Sequence, residues 1–219
     1  MSVNHRKQSP ATHNIKNVKY AIREEGGTPG TIINDIQYAI KISLPSKWDK
    51  YTRYANGKKV VEIPADQGRE GSFTTTAQDY QLEENIGYID TAIDGGGMGE
   101  MRATSFRKID IYYETDAKTE SGANFVIKAW LLMCTVGKCT IEQSTDTESI
   151  NPNDYEYPVS VEGVKKLASD GTSAYRDANG NEVYITLVTK VPGDEGYADF
   201  ENAVPKPKAV AAPPETPTE

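Results

Sequence analysis

The chain has 219 residues, of which 37% are hydrophobic, 9% aromatic and 26% charged. This composition predicts a globular domain with one core of ordinary size and excludes a disordered or fibrous chain. The longest apolar run, residues 129–134, is far shorter than the roughly 20 residues that cross a bilayer, so we expect no membrane partner. We also expect no standard secretory signal, because the first residues are polar.

The net charge and its distribution narrow the choice of partner. A net charge of −8 at pH 7 has the wrong sign for a protein that grips nucleic-acid phosphates over its whole surface. Residues 1–20 carry +4 and residues 41–59 carry +5, whereas residues 77–100 and 140–162 each carry −6. A solvated face would explain any one of these blocks. Together, four segregated blocks favour head-to-tail association between copies of the chain.

The two ends of the chain differ from its middle. Residues 1–16 have no hydrophobic periodicity, which predicts a flexible basic N-terminal arm. Residues 201–219 are rich in proline and alanine, and proline interrupts helices and ladders, which predicts an extended C-terminal tail. We therefore expect a single domain over residues 17–200.

Most of the middle alternates between apolar and polar residues, which is the period of a half-buried strand. The clearest strand is Ile36–Leu44, and shorter alternating runs lie at 18–22, 109–113, 155–161 and 183–187. Pro158 cannot donate to a ladder, so we place its strand at a sheet edge. The run Phe125–Cys134 is apolar on both faces except at Lys128, which favours a central strand covered on both sides. A short buried helix is the alternative for this run.

Two turns and one helix complete the predicted fold. Asn56-Gly57 and Asn179-Gly180 are typical of tight hairpin turns, in which both residues adopt positive φ. A helix is predicted from Leu82 to Ile93, with Asp79 as its N-terminal cap and glycines 95–97 at its end. The predicted fold is mainly β, an antiparallel β-sandwich or barrel with one flanking α-helix.

The residue types that carry most enzyme chemistry are scarce or badly placed. His5 and His13 both fall in the arm, where no packed scaffold would hold them. Cys134 and Cys139 are too few for a disulfide framework or a zinc site, so we expect free thiols, with a bond across a hairpin as the alternative. Gly95–Gly99 resembles a phosphate loop but follows the predicted helix instead of a strand. We therefore expect no catalytic residue, no metal and no cofactor.

One stretch has the composition of a protein interface. Trp48, Tyr51 and Tyr54 lie in the long basic segment 41–59, and exposed aromatic residues beside Arg or Lys are typical of interface anchors. A loop folded back over the core of its own domain is the alternative.

The order of these parts resembles a known family. A short strand at 16–21, the strand Ile36–Leu44, a long loop reaching residues 54–57, the sequence Gly71-Ser72-Phe73 and the helix Leu82–Ile93 follow one another. This layout resembles the major tail proteins, or tail tube proteins, of long, flexible-tailed phages and prophages of Gram-positive bacteria. The resemblance covers roughly residues 16–190 and leaves the basic arm and the proline-rich end outside it.

The resemblance implies a structural role. Members of that family form hexameric rings of a β-sandwich or barrel with a flanking helix, and the stacked rings make a tube through which the genome leaves. It implies a virion subunit that is not an enzyme and that assembles in the host cytoplasm. Its partners would be copies of itself, the tape measure protein and tail-tip or terminator proteins. Double-stranded DNA would only pass through an acidic lumen, where a basic surface would trap phosphates.

Other function classes stay open at this point. The runner-up is a carbohydrate- or receptor-binding β-sandwich module of a phage baseplate or fibre, with tyrosines as stacking platforms. A hydrolase with two carboxylates and a secretion-system tube subunit are further alternatives.

The charge blocks suggest how copies of the chain would meet. We expect the basic segment of one subunit to lie on the acidic helix region of a neighbour in the same or the next ring. The residues expected at this subunit interface are Lys47, Trp48, Lys50, Tyr51, Arg53, Tyr54, Asp79, Glu83, Glu84 and Asp90.

Overall fold

Antiparallel strands make up most of the structure, as the alternating sequence predicts. The computed structural model describes residues 11–55, 58–102, 106–119, 122–140, 154–177 and 180–209. The strands in these ranges are β1 Ala11–Arg23, β2 Pro29–Asp35, β3 Ala39–Ser43, β4 Ser46–Ala55, β5 Lys58–Thr75, β6 Ile89–Asp90, β7 Gly99–Glu100, β8 Ile109–Lys118, β9 Asn124–Val136, β10 Tyr155–Val161, β11 Val164–Lys165, β12 Tyr184–Ile185 and β13 Leu187–Lys190. One helix, α1, spans Tyr80–Ile86. No helix among these residues is long and apolar enough to span a membrane.

Nine of the strands form one sheet. Its order is β2-β1-β8-β9-β10-β5-β3, with β13 also beside β9 and β4 also beside β5. The sheet curls so that β3 contacts β1, and the amide of Ile36 donates to the carbonyl of Val18 at 2.8 Å. No ladder joins β3 to β1, so the sheet does not close into a barrel. Two short pairs, β6 with β7 and β11 with β12, lie outside it.

The central strand β9 contributes to two cores. Leu131, Cys134 and Val136 belong to the larger core, inside the curl of the sheet. Trp130 and Leu132, which point the other way, belong to a second core with Tyr112 and Ala21. The prediction of a central strand over Phe125–Cys134 is confirmed, and it is apolar on both faces because both faces are covered.

The C-terminal segment covers the second core. Phe200 and Val204 are buried against it, and the indole N–H of Trp130 donates to the carbonyl of Phe200 at 2.7 Å. Lys19 forms an ion pair with Glu201 at 2.7 Å. Residues 201–204, predicted as the start of the tail, therefore pack on the domain, while residues 210–219 lie outside the described part of the chain.

The first described strand begins earlier than the sequence indicates. Residues 11–16, predicted as part of the arm, pair with β8, so His13 lies in a strand. Asn14 and Asn17 have φ of 57° and 51°, and the register with β8 shifts near each of them. These irregularities remove the two-residue period that would have revealed the strand. Residues 1–10, including His5, lie outside the described residues.

The predicted strand Ile36–Leu44 is divided between two partners. β2 ends at Asp35 beside β1, and β3 begins at Ala39 beside β5. Tyr38, between them, has φ of 60°. Ile36 and Ile42 pack on the larger core, but Tyr38 and Ile40 are exposed. The side chains change from one face of the sheet to the other where the chain changes partner. A regular alternation in the sequence carries no sign of such a change of partner.

The helix is half the predicted length. Asp79 is its N-cap as predicted, and its carboxylate accepts from the amide of Leu82 at 3.0 Å. Gly87 ends the helix with φ of 102°, a left-handed conformation that favours glycine. Ile89 then begins β6 and Ile93 is exposed, so the predicted end at residues 95–97 is wrong.

Pro158 is not at a sheet edge, because β10 lies between β9 and β5. The ladder with β9 includes only Val159 to Val161, so the missing N–H of Pro158 falls where that ladder has ended. Its carbonyl accepts from the amide of Gly137 at 2.7 Å.

Both predicted hairpin turns lie where the chain reverses. Ala55 is paired with Lys58, and Arg176 is bridged to Glu182. Three of the turn residues, 56, 57 and 179, lie outside the described residues.

A buried ion pair joins β1 to β8 and β9. Asp110 accepts from the Arg23 guanidinium at 2.9 and 2.7 Å and from the amide of Met133 at 2.8 Å. Both side chains are almost completely buried. The second carboxylate oxygen of Asp110 accepts no hydrogen bond in the structure. Removing either partner would leave the other charge buried and uncompensated.

We expect Asp110→Ala to lower the free energy of unfolding by about 3–5 kcal/mol, because Arg23 would be left as an unpaired buried charge. Urea unfolding measures this loss. The control is Asp116→Ala in the same strand, whose ion pair with Lys16 is partly exposed and should contribute far less. Equal losses for the two variants would contradict this role of the buried pair.

Candidate functional site

β5 changes partner along its 18 residues. Its C-terminal part, Arg69–Thr75, pairs with β10, and its N-terminal part pairs with β4. Among the described residues, no other strand pairs with β4 or with the N-terminal part of β5. From Trp48 opposite Asp66 to Ala55 opposite Lys58, the two strands form a ribbon about 25 Å long. We call residues 46–68 the basic hairpin.

The basic hairpin corrects the prediction of a long loop at 41–59. Lys50, Tyr51, Arg53 and Tyr54, predicted as interface residues, are placed in β4 by the backbone register, and their side chains lie outside the described part of the structure. The hairpin is basic toward its tip, because residues 50–61 hold four Lys or Arg and no acid.

The base of the hairpin holds the other two predicted interface residues. Lys47 forms an ion pair with Glu70 of the same chain, and both side chains are about half exposed. Trp48 is 67% exposed. An indole in water is costly to leave uncovered, so Trp48 is the described residue of the hairpin best suited to an interface.

A two-stranded ladder is at best marginally stable in water, since few side chains cover its backbone hydrogen bonds. We therefore expect amides of residues 58–66 in the monomer to exchange with deuterium much faster than those of Arg69–Thr75, which lie inside the sheet. Hydrogen-exchange mass spectrometry compares the two parts of this one strand. Equal protection of both parts in the monomer would show that the hairpin is already covered.

The second predicted surface, residues 77–100, we call the acidic face. Two of its predicted interface residues are used inside the chain. Asp79 caps α1 and also accepts from the amide of Gln37 at 3.3 Å. Glu83 is buried and accepts from Tyr157 at 3.0 Å, from Cys139 at 3.1 Å and from Gln78 at 2.9 Å. Both carboxylates are hydrogen-bonded within the chain, which argues against the interface role predicted for them.

The remaining acids of the acidic face lie at the surface. Glu84 and Asp94 are exposed, and Asp90 is half-buried. Glu84 accepts from the hydroxyl of Thr91 at 3.1 Å, and Asp90 accepts from the amide of Ala92 at 2.9 Å. Glu100 is exposed and pairs with Lys138.

Apolar residues stand among these acids. Tyr80, Ile93 and Met98 are 47%, 43% and 54% exposed, and they are three of the eight large hydrophobic residues exposed in the described structure. A cavity of 200 Å³ lies beside α1, and its lining includes Tyr80, Tyr88, Met98, Glu83, Glu100 and Lys138. The sequence pattern does not predict these exposed apolar residues, because the predicted helix places Ile93 on its inner face and assigns no role to Tyr80 or Met98.

Two matched variants separate the structural from the exposed carboxylates of α1. We expect Glu83→Ala to lower the free energy of unfolding by about 1–3 kcal/mol, since it leaves the buried hydroxyl of Tyr157 without its acceptor. Glu84→Ala, one residue further, should change it by less than about 0.5 kcal/mol. Thermal or urea unfolding measures both; a larger loss for Glu84→Ala would refute the assignment.

Both cysteines are free thiols, as predicted. Burial, followed by the hydrogen bond to Glu83, raises the pKa of Cys139 to about 12, and burial also raises the pKa of Cys134. Because only the thiolate reacts quickly, both thiols should be inert at neutral pH.

We expect native protein at pH 8 to react with a thiol reagent at least tenfold more slowly than protein unfolded in guanidinium, in which both thiols regain ordinary pKa values. The native rate should rise steeply only as the pH approaches 12. Absorbance of the released chromophore follows the reaction. A fast phase of one thiol in native protein would contradict the burial of Cys139.

A larger cleft lies on the other side of α1. Its volume is 650 Å³, and it lies between the β1–β2 connection, strand β2 and the helix residues Gln81 and Asn85. Arg107 also lines it. In the described ranges, no three His, Cys, Asp or Glu side chains converge to hold a metal ion.

Comparison with known proteins gives no match: no protein-family model and no curated protein is similar to this chain.

Proposed function

We propose that the chain is a structural subunit of a phage tail tube, which assembles with copies of itself into stacked hexameric rings. The observation that carries this proposal is the basic hairpin, a ribbon that pairs with nothing else among the described residues. A ribbon about 25 Å long that pairs with no further strand is at best marginally stable in a monomer. An assembly in which a neighbouring chain covers the basic hairpin would stabilise it.

A second surface also suits an assembly. β2 is a seven-residue strand that pairs with β1 on one side and, within the described structure, with no strand on the other. Ile32 in its middle is 72% exposed, and its only charged residue is Asp35 at its end. Free strands are normally short, charged or interrupted, since otherwise they pair with another chain. Between Pro29 at its start and Asp35 at its end, β2 lacks this protection.

The basic hairpin and the β2 edge are different surfaces, which favours a head-to-tail contact over a two-fold one. Head-to-tail contacts close into rings or continue into filaments. The curled antiparallel sheet with its flanking helix would then be the ring-forming sandwich of a tail tube protein.

Net charge supports passage of DNA. Six chains of −8 would give a ring −48, and an acidic lumen would let double-stranded DNA slide without trapping its phosphates. Under this proposal the protein is assembled in the host cytoplasm and resides in the virion tail. Its further partners would be the tape measure protein and the tail-tip or terminator proteins.

Electron microscopy of the concentrated protein in negative stain tests the proposal. We expect rings or tubes of uniform diameter with an open centre. A shortened variant, in which residues 50–55 and 58–64 are removed so that Asp49 leads into Asn56-Gly57 and then Ala65, should keep the sheet and the circular dichroism of the monomer but form no tubes. Asp49 and Ala65 are already paired, so the same turn can close the shorter hairpin.

Two results would contradict this proposal, the first its argument from the hairpin and the second the tube subunit itself. Tubes formed equally well by the shortened variant would show that the hairpin is not the assembling element. A protein that stays monomeric and instead binds glycans on an array, through exposed aromatic residues such as Tyr184, would favour the carbohydrate-binding alternative.

A further inference from the structure

We propose that the acidic face is the acceptor for the basic hairpin of a second copy of this chain, with the cavity beside α1 at its centre. This inference rests on the proposed function, since it names the surface that would cover the hairpin. It also revises the interface expected from sequence, because Asp79 and Glu83 are excluded from it.

Charge complementarity carries the first step. Once the two buried carboxylates are set aside, the acidic face keeps four acids at or near its surface: Glu84, Asp90, Asp94 and Glu100. The hairpin tip, residues 50–61, carries four basic residues and no acid. Opposite charges at a contact steer the encounter and fix its register, while like charges exclude wrong pairings.

The shape of the acidic face carries the second step. Its cavity of 200 Å³ is smaller than the roughly 300–1,000 Å³ typical of pockets for small molecules. It has the size for one anchoring side chain, and it is edged by the exposed Tyr80 and Met98. Its lining is mixed, because Tyr80, Tyr88 and Met98 lie beside Gln78, Glu83, Glu100 and Lys138. Aromatic and methionine side chains within a charged rim are typical of an interface centre. The basic hairpin has aromatic residues of this kind at Tyr51 and Tyr54.

A second copy is required because the two surfaces are separate within one chain. β4 pairs with the N-terminal part of β5, whereas α1 follows the C-terminal end of β5 and packs on the larger core through Leu82 and Ile86. One chain therefore offers a hairpin at one place and an acceptor at another, which is the arrangement that lets copies join head to tail.

A basic ribbon also suits the phosphates of DNA, but two observations favour a protein partner. The chain as a whole carries −8, so the hairpin would have to hold DNA against the field of its own domain. The acidic face supplies the complementary surface on the same molecule.

A charge-swap experiment on the full chain tests the acceptor. The hairpin variant is Lys50→Glu with Arg53→Glu, the acceptor variant is Glu84→Lys with Asp94→Lys, and the third protein combines all four changes. The matched control is Glu195→Lys with Asp199→Lys, which reverses two exposed acids on the C-terminal segment. Thermal unfolding checks that each protein is folded. Sedimentation velocity at low ionic strength then measures self-association, and negative-stain microscopy examines the same samples.

We expect the wild-type chain and the control to associate equally, and each double reversal to weaken association at least tenfold. The protein with both surfaces reversed should regain most of the lost association, which loss of fold would not allow. Net charge alone would not explain the pattern, because the acceptor variant and the control both change it by +4. Added salt should weaken the self-association of the wild-type chain and of the protein with all four substitutions to the same extent.

The outcomes separate this inference from the proposed function. If both double-reversal variants still form rings or tubes, the acceptor inference is wrong and the tube-subunit proposal stands. If association is lost and regained as the charges are reversed, but no ring or tube forms, the acceptor inference stands and the tube-subunit proposal is wrong. A wild-type chain that remains monomeric at its highest soluble concentration would overturn both. Retention on double-stranded DNA that only the hairpin variant loses, with unchanged self-association, would overturn the acceptor in favour of a nucleic-acid partner.

Discussion

Strand β9 is apolar on both of its faces, and the rest of the structure depends on covering both. The curl of the nine-stranded sheet covers one face, where Leu131 and Cys134 join the larger core. The C-terminal segment covers the other, where Trp130 is packed under Phe200 and hydrogen-bonded to its carbonyl. This demand explains why a segment with little regular structure packs on the domain at residues 200–204, since it buries the Trp130 indole and the Phe200 carbonyl replaces water as the acceptor of its N–H.

The same sheet leaves other parts uncovered. β5 is inside the sheet at Arg69–Thr75 but continues as one strand of the basic hairpin, and β2 ends the sheet with an exposed isoleucine. The chain therefore buries both faces of its central strand, whereas the basic hairpin pairs with no further strand among the described residues. A neighbouring copy could stabilise the hairpin and the β2 edge in two ways, by burying apolar area and by pairing with their backbone groups.

The acidic face shows why charge in a sequence does not map directly onto charge at a surface. Asp79 and Glu83 count toward the −6 of residues 77–100, but one caps a helix and the other lies under Tyr157. A carboxylate at a helix N-terminus satisfies backbone amides, and a buried one must be hydrogen-bonded, so both are occupied within the chain. The acids that remain share their surface with Tyr80, Ile93 and Met98, and this mixture is what gives the face the character of an interface.

The sequence by itself determined the mainly β character, the two-sided central strand at Phe125–Cys134, the Asp79 cap and the position of the hairpin turn at residues 56–57. These features depend on local physics: the two-residue period, the helix dipole and amides, and the positive φ that Asn-Gly tolerates. Only the tertiary structure decided where Ile36–Leu44 changes partner, that β10 is interior, that the basic segment is a ribbon, and which acids are buried. Each of these depends on contacts between residues far apart in the chain, and a periodic pattern is the same whichever distant strand or side chain meets it.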